Sequence, residues 1–314
     1  MKRLGLLLAI LLPSLALAQP SSPAERLGYP ADARLLIIHA DDLGMANSVN
    51  AASIEALRTG AINSASIMVP CAWLPQIAAF ARANPDADLG LHLTLTSEWT
   101  GFRWRPLLGP DRAGSLYDES GFLYPTETAA AERIDPKEAE AEVRAQIERA
   151  LSLGIRPTHL DAHMRTLHMT PELFAVQLRV AREYGIPAAV SRNLAENPDL
   201  APLLTPDDIV IDRFATIGAD VPAADWPAWY AKVVEELEPG ITQLIVHVAY
   251  DDAEMRGATF DHPGWGAAWR QRDFDVLSSE EFRTKLRESG VQLVTWRELA
   301  RRAAAAKARA SKGD

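Results

Sequence analysis

Short apolar runs alternate with amphipathic stretches along most of the chain. The runs "RLLIIHA" (34–40), "SASIMV" (64–69), "ADLGLHLTL" (87–95), "PTHLDAH" (157–163), "PAAVS" (187–191), "DIVIDRF" (208–214), "QLIVHV" (243–248) and "VQLVTW" (291–296) read as buried strands. Between them, helical spacing predicts helices over 48–58, 74–83, 134–154, 171–184, 225–238 and 279–288, and one more closing the chain. The helix over 134–154 carries its own punctuation: Asp135 as cap, Pro136 in the first turn and Gly154 at the end. Strand alternating with helix through about seven units predicts an α/β fold, a parallel sheet closed or nearly closed into a distorted TIM-like (β/α) barrel. Residues 97–125, rich in Trp, Gly, Arg and Pro, predict a long loop of the kind that borders functional sites.

The ends of the chain read differently. "MKRLGLLLAILLPSLALAQ" has a basic start, a short leucine-rich core and an A-x-A site at 16–18, the pattern of a cleaved secretory signal peptide. Its apolar core is shorter than the ~20 residues that span a bilayer, so no stable membrane insertion is expected after cleavage. The expected organisation is therefore a signal peptide (1–18), a linker (19–32), a barrel domain (33–300) and a basic alanine-rich tail (301–314) that frays. Export places the protein outside the cytoplasm, secreted or periplasmic. The single cysteine, Cys71, excludes an internal disulfide and reads as a small buried residue. A formal charge of −10 without a basic cluster in the folded region makes nucleic acid a poor partner.

Candidate chemistry concentrates at the strand ends. Most of the seven histidines fall in or just after a predicted strand. In a β/α barrel the C-terminal strand ends converge on one mouth. Asp41 and Asp42 follow the first strand, His92 lies within "LGLHLTL", His163 follows "THLD" and His247 falls near the end of "QLIVHV". A carboxylate and imidazoles on one mouth are the donors a divalent metal takes, so Asp42, His92 and His163 are the expected ligands. His159 and His163 would stand about 13 Å apart on an extended strand, so only one of them can serve, and His163 is nearer the mouth. Asp161 and His159 are left to orient ligands or to bond within the core. His168 either lines the pocket or is ordinary surface.

The paired acids then take separate roles. Successive strand residues point to opposite faces, but a turn permitted by Gly44 would let one carboxylate meet the metal while the other faces its water. Such water is acidified by the cation, and Asp41 is the expected general base. If an amide is cleaved, its nitrogen needs a proton, and His247 is the candidate general acid. Trp99, Trp104, Trp265 and Trp269 offer faces for a sugar ring or ordinary packing. Three rival readings remain: a glycoside hydrolase using a carboxylate pair, which requires acids about 5–10 Å apart, a periplasmic sugar-binding protein without turnover, and the same two histidines and carboxylate holding iron for oxygen chemistry.

"HADDLGMANSVNAASIEALRTGAINSASIMV", "LGLHLTLTSEW", "RPTHLDAHMRTLH", "HVAYDD" and "RQRDFDVLSSEEFRTKLRESGVQLVTW" together resemble the YdjC-like carbohydrate deacetylase family, in that order and over roughly 34–297. The resemblance implies a (β/α) barrel related to polysaccharide deacetylases, often a homodimer. It also implies one divalent metal ion, magnesium or zinc, and hydrolytic removal of acetyl groups from N-acetylated oligosaccharides. Asp41 would be the catalytic acidic residue, with Asp42, His92 and His163 on the metal. Leu43 stands where phenylalanine is usual, and "HVAYDD" lacks the proline and glycine often found after the last histidine. The expected export directs the substrate towards cell-wall or exported glycans.

Overall fold

The computed structural model describes residues 22–311, so the expected signal peptide and the first residues of the expected linker lie outside the described residues. Nine strands follow in chain order: β1 (Arg34–Leu43), β2 (Ser64–Ile67), β3 (Leu89–Leu93), β4 (Leu160–Ala162), β5 (Val190–Ser191), β6 (Val210–Ile211), β7 (Arg213–Ala215), β8 (Gly240–Val246) and β9 (Gln292–Leu293). Every ladder between them is parallel. β1 is the spine. β8 pairs along one side of it from Arg34 to Ala40. Its other side takes β9 beside Leu35 and Leu36, then β2 beside His39 to Leu43.

From β2 the pairing passes to β3 and β4. Leu160 of β4 then bridges Ala188, just ahead of β5, and β5 pairs with β6. Only Asp212 separates β6 from β7, and β7 returns to β8. The parallel strands thus curve into a distorted half-barrel, in keeping with the alternating pattern, with β5 and β6 as a two-stranded sheet of their own that completes the curve through short links.

Alternation along β1 sorts the interior into layers. Leu36, Ile38 and Ala40 point outward into the main core beneath the helices. Leu35 and Ile37 point inward and join Ala24, Leu27, Tyr29, Ile211, Ile241, Val294 and Trp296 in an apolar plug at the N-terminal end. His39 and Asp41 continue the inward row, so polar groups occupy the other half of the barrel. The segment expected to be linker is folded from Ser22 onward. A capping box between Ser22 and Glu25 starts the helix Pro23–Arg26, and Tyr29 donates to Glu298 at 2.8 Å.

The helices Asn47–Thr59, Leu74–Ala83, Pro136–Ser152, Pro171–Tyr184, Trp226–Glu235 and Glu280–Glu288 match their expected places within a few residues. Three differences bear on the site. Residues 97–125 are tied down rather than loose: Trp99 and Trp104 are buried, Thr96 bridges Tyr124, and the buried Glu142 accepts from the backbone N–H groups of Leu107 and Leu108. A helix, Ala267–Ser278, forms where none was expected, because it buries Arg270 and Asp273 alongside Trp269 and Leu277 and so shows no apolar stripe. Residues 301–310, expected as part of a fraying tail, are the last ten of the fifteen residues of the helix Trp296–Ala310, where Lys307 pairs with Asp207. No helix among the described residues is long and apolar enough to cross a membrane.

Candidate active site

The site begins with an irregularity in β1. Ala40 pairs with Ala65 and Leu43 with Ile67, so three steps on β1 oppose two on β2 and one residue is extra. Asp42 absorbs it with a left-handed backbone, φ 70°. Aspartate tolerates this conformation better than most side chains, at a cost of order 1–3 kcal/mol. Strict alternation would send the two acids to opposite faces. The bulge instead brings both carboxylates to one ring: His92 Nε2 lies 3.7 Å from Asp41 Oδ2 and 3.6 Å from Asp42 Oδ1. The turn expected at Gly44 therefore starts two residues earlier. Gly44 continues it at φ 92°, where a Cβ would stand 3.0 Å from the Met68 carbonyl oxygen.

Asp42, His92 and His163 converge, each offering a donor atom within 4.8 Å of the others, and all three are buried. Asp42 Oδ1 is 3.5 Å from His163 Nδ1, and neither atom has a hydrogen-bond partner among the described residues. The opposite nitrogen of each ring is engaged: His92 Nδ1 meets Asp161 Oδ1 at 2.7 Å, and His163 Nε2 meets Glu98 Oε2 at 2.9 Å. When the rings are neutral those bonds fix the tautomers, leaving His92 Nε2 and His163 Nδ1 as lone pairs facing Asp42. Ligand atoms about 2.1 Å from a common tetrahedral ion stand about 3.4 Å apart, so the observed 3.5 and 3.6 Å separations fit a divalent cation. Two orphaned buried atoms are otherwise a costly arrangement.

Charge is balanced around this group. Arg270 reaches the second oxygen of Asp42 at 2.8 Å. Burial would raise the Asp42 pKa, but Arg270 and His163 hold it well below the usual carboxylate range. Burial likewise works against protonating His163, yet Glu98 and Asp42 carry its pKa up to about 10. A dication among these groups would supply the positive charge that the imidazoles otherwise take from protons.

Asp41 sits beside the group. Its Oδ1 lies 3.1 Å from His39 Nε2, while Oδ2 faces His92 at 3.7 Å and His247 Nε2 at 3.8 Å. His247 is partly exposed at the mouth, its ring packs on Trp269, and its backbone N–H donates to Asp273 at 2.8 Å. Burial keeps the His247 pKa below its ordinary value. The five residues singled out by strand-end reasoning thus meet in one place.

Others fall outside it. His159 lies deeper, stacked on Trp296 with ring centroids 5.0 Å apart and pressed against Gly90. His168 turns to the helix Pro171–Tyr184, bonding Gln177 and packing on Phe174. Of the four tryptophans, Trp99, Trp104 and Trp269 are buried and only Trp265, 43 % exposed, presents a broad face. Sequence reasoning missed Glu98, Arg270 and His39. Glu98 sits three residues past "LTL" in "TSEW", close to a strand end, whereas Arg270 lies in the helix that shows no periodicity.

The chain is 34 % identical over 280 residues to a carbohydrate deacetylase of Thermus thermophilus, covering 87 % of this chain and 96 % of that one. It is 28 % identical over 269 residues to a chitooligosaccharide deacetylase of Serratia marcescens, covering 85 % and 99 %. Among solved structures, an Enterococcus faecalis protein named for a proposed role in cellobiose-phosphate cleavage superposes with a TM-score of 0.72 at 25 % identity, covering 85 % of this chain and 99 % of that one. The YdjC-like protein family profile matches residues 35–288, and with that span and that identity the chain belongs to the YdjC-like family.

Proposed function

We propose that this protein is a metal-dependent deacetylase that hydrolyses the N-acetyl amide of an N-acetylated oligosaccharide. The observation that carries the reading is the pair of orphaned atoms, Asp42 Oδ1 and His163 Nδ1, held with His92 Nε2 beside the Oδ2 face of Asp41. Asp42, His92 and His163 would hold the ion. A divalent cation there would acidify water and polarise an amide carbonyl.

The chain's own residues supply the rest. Asp41, anchored through Oδ1, uses Oδ2 to take the proton of the attacking water. His247, 3.8 Å away, is placed to receive that proton, and its lowered pKa favours passing it on to the departing amine. Water and amide thus become carboxylic acid and amine with no proton left over. Arg270 keeps Asp42 ionised, and Asp161 and Glu98 hold the two rings in the required tautomers. Trp265 offers the exposed face on which a sugar ring can stack.

The glycoside hydrolase reading fits poorly, because both carboxylates face the same His92 nitrogen and the converging imidazoles of His92, His163 and His247 would be left without a role. The N-terminal pattern supports export and a glycan outside the cytoplasm as substrate. The relatives named for acting on carbohydrates and chitooligosaccharides support the same chemical class. The test is acetate release from chitooligosaccharides and peptidoglycan fragments, with and without a chelator. Release that stops on chelation is expected. Release from none of these substrates, or release indifferent to chelation, overturns the reading.

A further inference from the structure

Proton transfer through Asp41 and His247 gives no part to His39, a fully buried imidazole of β1 between the apolar plug and the site. Its Nδ1 lies 2.9 Å from Ser64 Oγ. Its Nε2 lies 3.0 Å from Asp161 Oδ2, 3.1 Å from Asp41 Oδ1 and 3.1 Å from Ser66 Oγ. His159 meets the ring edge-on, centroids 4.9 Å apart. Asp161 continues the connection through its other oxygen to His92 Nδ1 at 2.7 Å. An unbroken path therefore runs Asp41, His39, Asp161, His92, from the expected base to an expected metal ligand.

Simple proton accounting fixes how the ring sits. A lone pair on Nε2 would face two buried carboxylates and be repelled by both, so Nε2 carries a hydrogen, which bonds Asp161 Oδ2 while Asp41 Oδ1 stands in charged contact with the same nitrogen. The Ser64 hydroxyl can serve Nδ1 as donor or acceptor. Burial by itself would strip the ring's charge, but the hydrogen bonds to Asp161 and Asp41 carry its pKa up to about 10.

We propose that His39 is a positioning residue: one imidazole N–H, bonded to Asp161 and in close charged contact with Asp41, sets the water-activating carboxylate and the carboxylate that orients His92 in fixed relation to each other. This rests on the roles given above to Asp41 and His92. Its consequence is that the aim of the base and the readiness of the metal site depend on the same ring.

Three measurements test it. In the wild-type protein, ¹⁵N NMR of labelled histidine should show His39 Nε2 bearing a proton between pH 6 and 8; an unprotonated, pyridine-like Nε2 overturns the proposal. His39→Leu should lose 10–100-fold in kcat and at least 10-fold in zinc affinity measured against a competing chelator, with KM within about twofold. His39→Gln, whose side-chain NH₂ offers one hydrogen to each carboxylate, should recover most of both losses. A folded His39→Leu with wild-type kcat and zinc affinity, or a His39→Gln no better than His39→Leu, overturns it. Should the wild type release no acetate from any glycan, the NMR and zinc measurements still decide the role of His39 while the deacetylase reading fails separately.

Discussion

Replacing Asp161 with asparagine separates orientation of a ligand from ligation itself. Asp161 is buried and accepts from two rings, His92 Nδ1 at 2.7 Å and His39 Nε2 at 3.0 Å, one on each oxygen. Asparagine is nearly the same shape but has one acceptor and one NH₂. Turned so that the oxygen meets His92, it sets N–H against N–H at His39. Turned the other way, it drives His92 into the tautomer with hydrogen on Nε2, which blocks the atom facing Asp42. Either choice gives up one buried, charge-assisted hydrogen bond worth about 1.5–3 kcal/mol. Losing an outer partner of a metal-bound histidine typically weakens binding 10–100-fold, about 1.4–2.7 kcal/mol, which is the same scale. Asp161→Asn should therefore bind zinc 10–100-fold more weakly, as titrated against a chromogenic chelator, while circular dichroism and the thermal midpoint without metal confirm the fold. A folded variant with zinc affinity within twofold of wild type would refute the reasoning.

Asp41→Asn should retain bound metal but lose at least about 100-fold in kcat for acetate release, the scale of general base catalysis; near-normal turnover would remove Asp41 from that role. Gly90→Ala probes the packing below the site, since its Cβ would stand 2.4 Å from the His159 ring, which is itself stacked on Trp296. The cost of such overpacking is about 1–3 kcal/mol, read as a lower urea midpoint, and an unchanged midpoint would contradict the close approach of the His159 ring to Gly90. His168 gives a pH dependence. Burial pushes its pKa down to about 4 from 6.5, so the unfolded chain binds the proton first, and stability present above pH 6.5 is lost as pH falls towards 4. The full shift is worth about 3 kcal/mol at 1.36 kcal/mol per unit, and partial exposure reduces this to about 1–2. The urea-derived stability of His168→Gln should fall less than wild type between pH 7 and 4.5; parallel losses would contradict this.

Much of the site was legible because strand ends in a barrel converge whatever the loops do. His92, His163 and His247 could be placed together from the apolar runs that carry them. The relation of Asp41 to Asp42 could not be read that way, because alternation along a strand separates neighbours and a one-residue bulge against β2 overrides it. No local signal marks that bulge; it arises from the pairing. Arg270 escaped notice for a related reason, since a helix that buries an arginine and an aspartate has no apolar stripe to find. Residues 97–125 looked like loop because their order comes from distant partners such as Glu142, not from any period of their own. Similarly, His39 reads in sequence as the sixth residue of an apolar strand, and only the folded barrel sets two carboxylates against it.

The central claim is that Asp42, His92 and His163 together hold one catalytic ion. Calorimetric titration of metal-stripped protein with zinc, for wild type, Asp42→Asn and His163→Ala, tests it most directly. One tight equivalent per chain in the wild type, lost in both variants while each remains folded, is the predicted result. Tight stoichiometric binding that survives in both variants would contradict it.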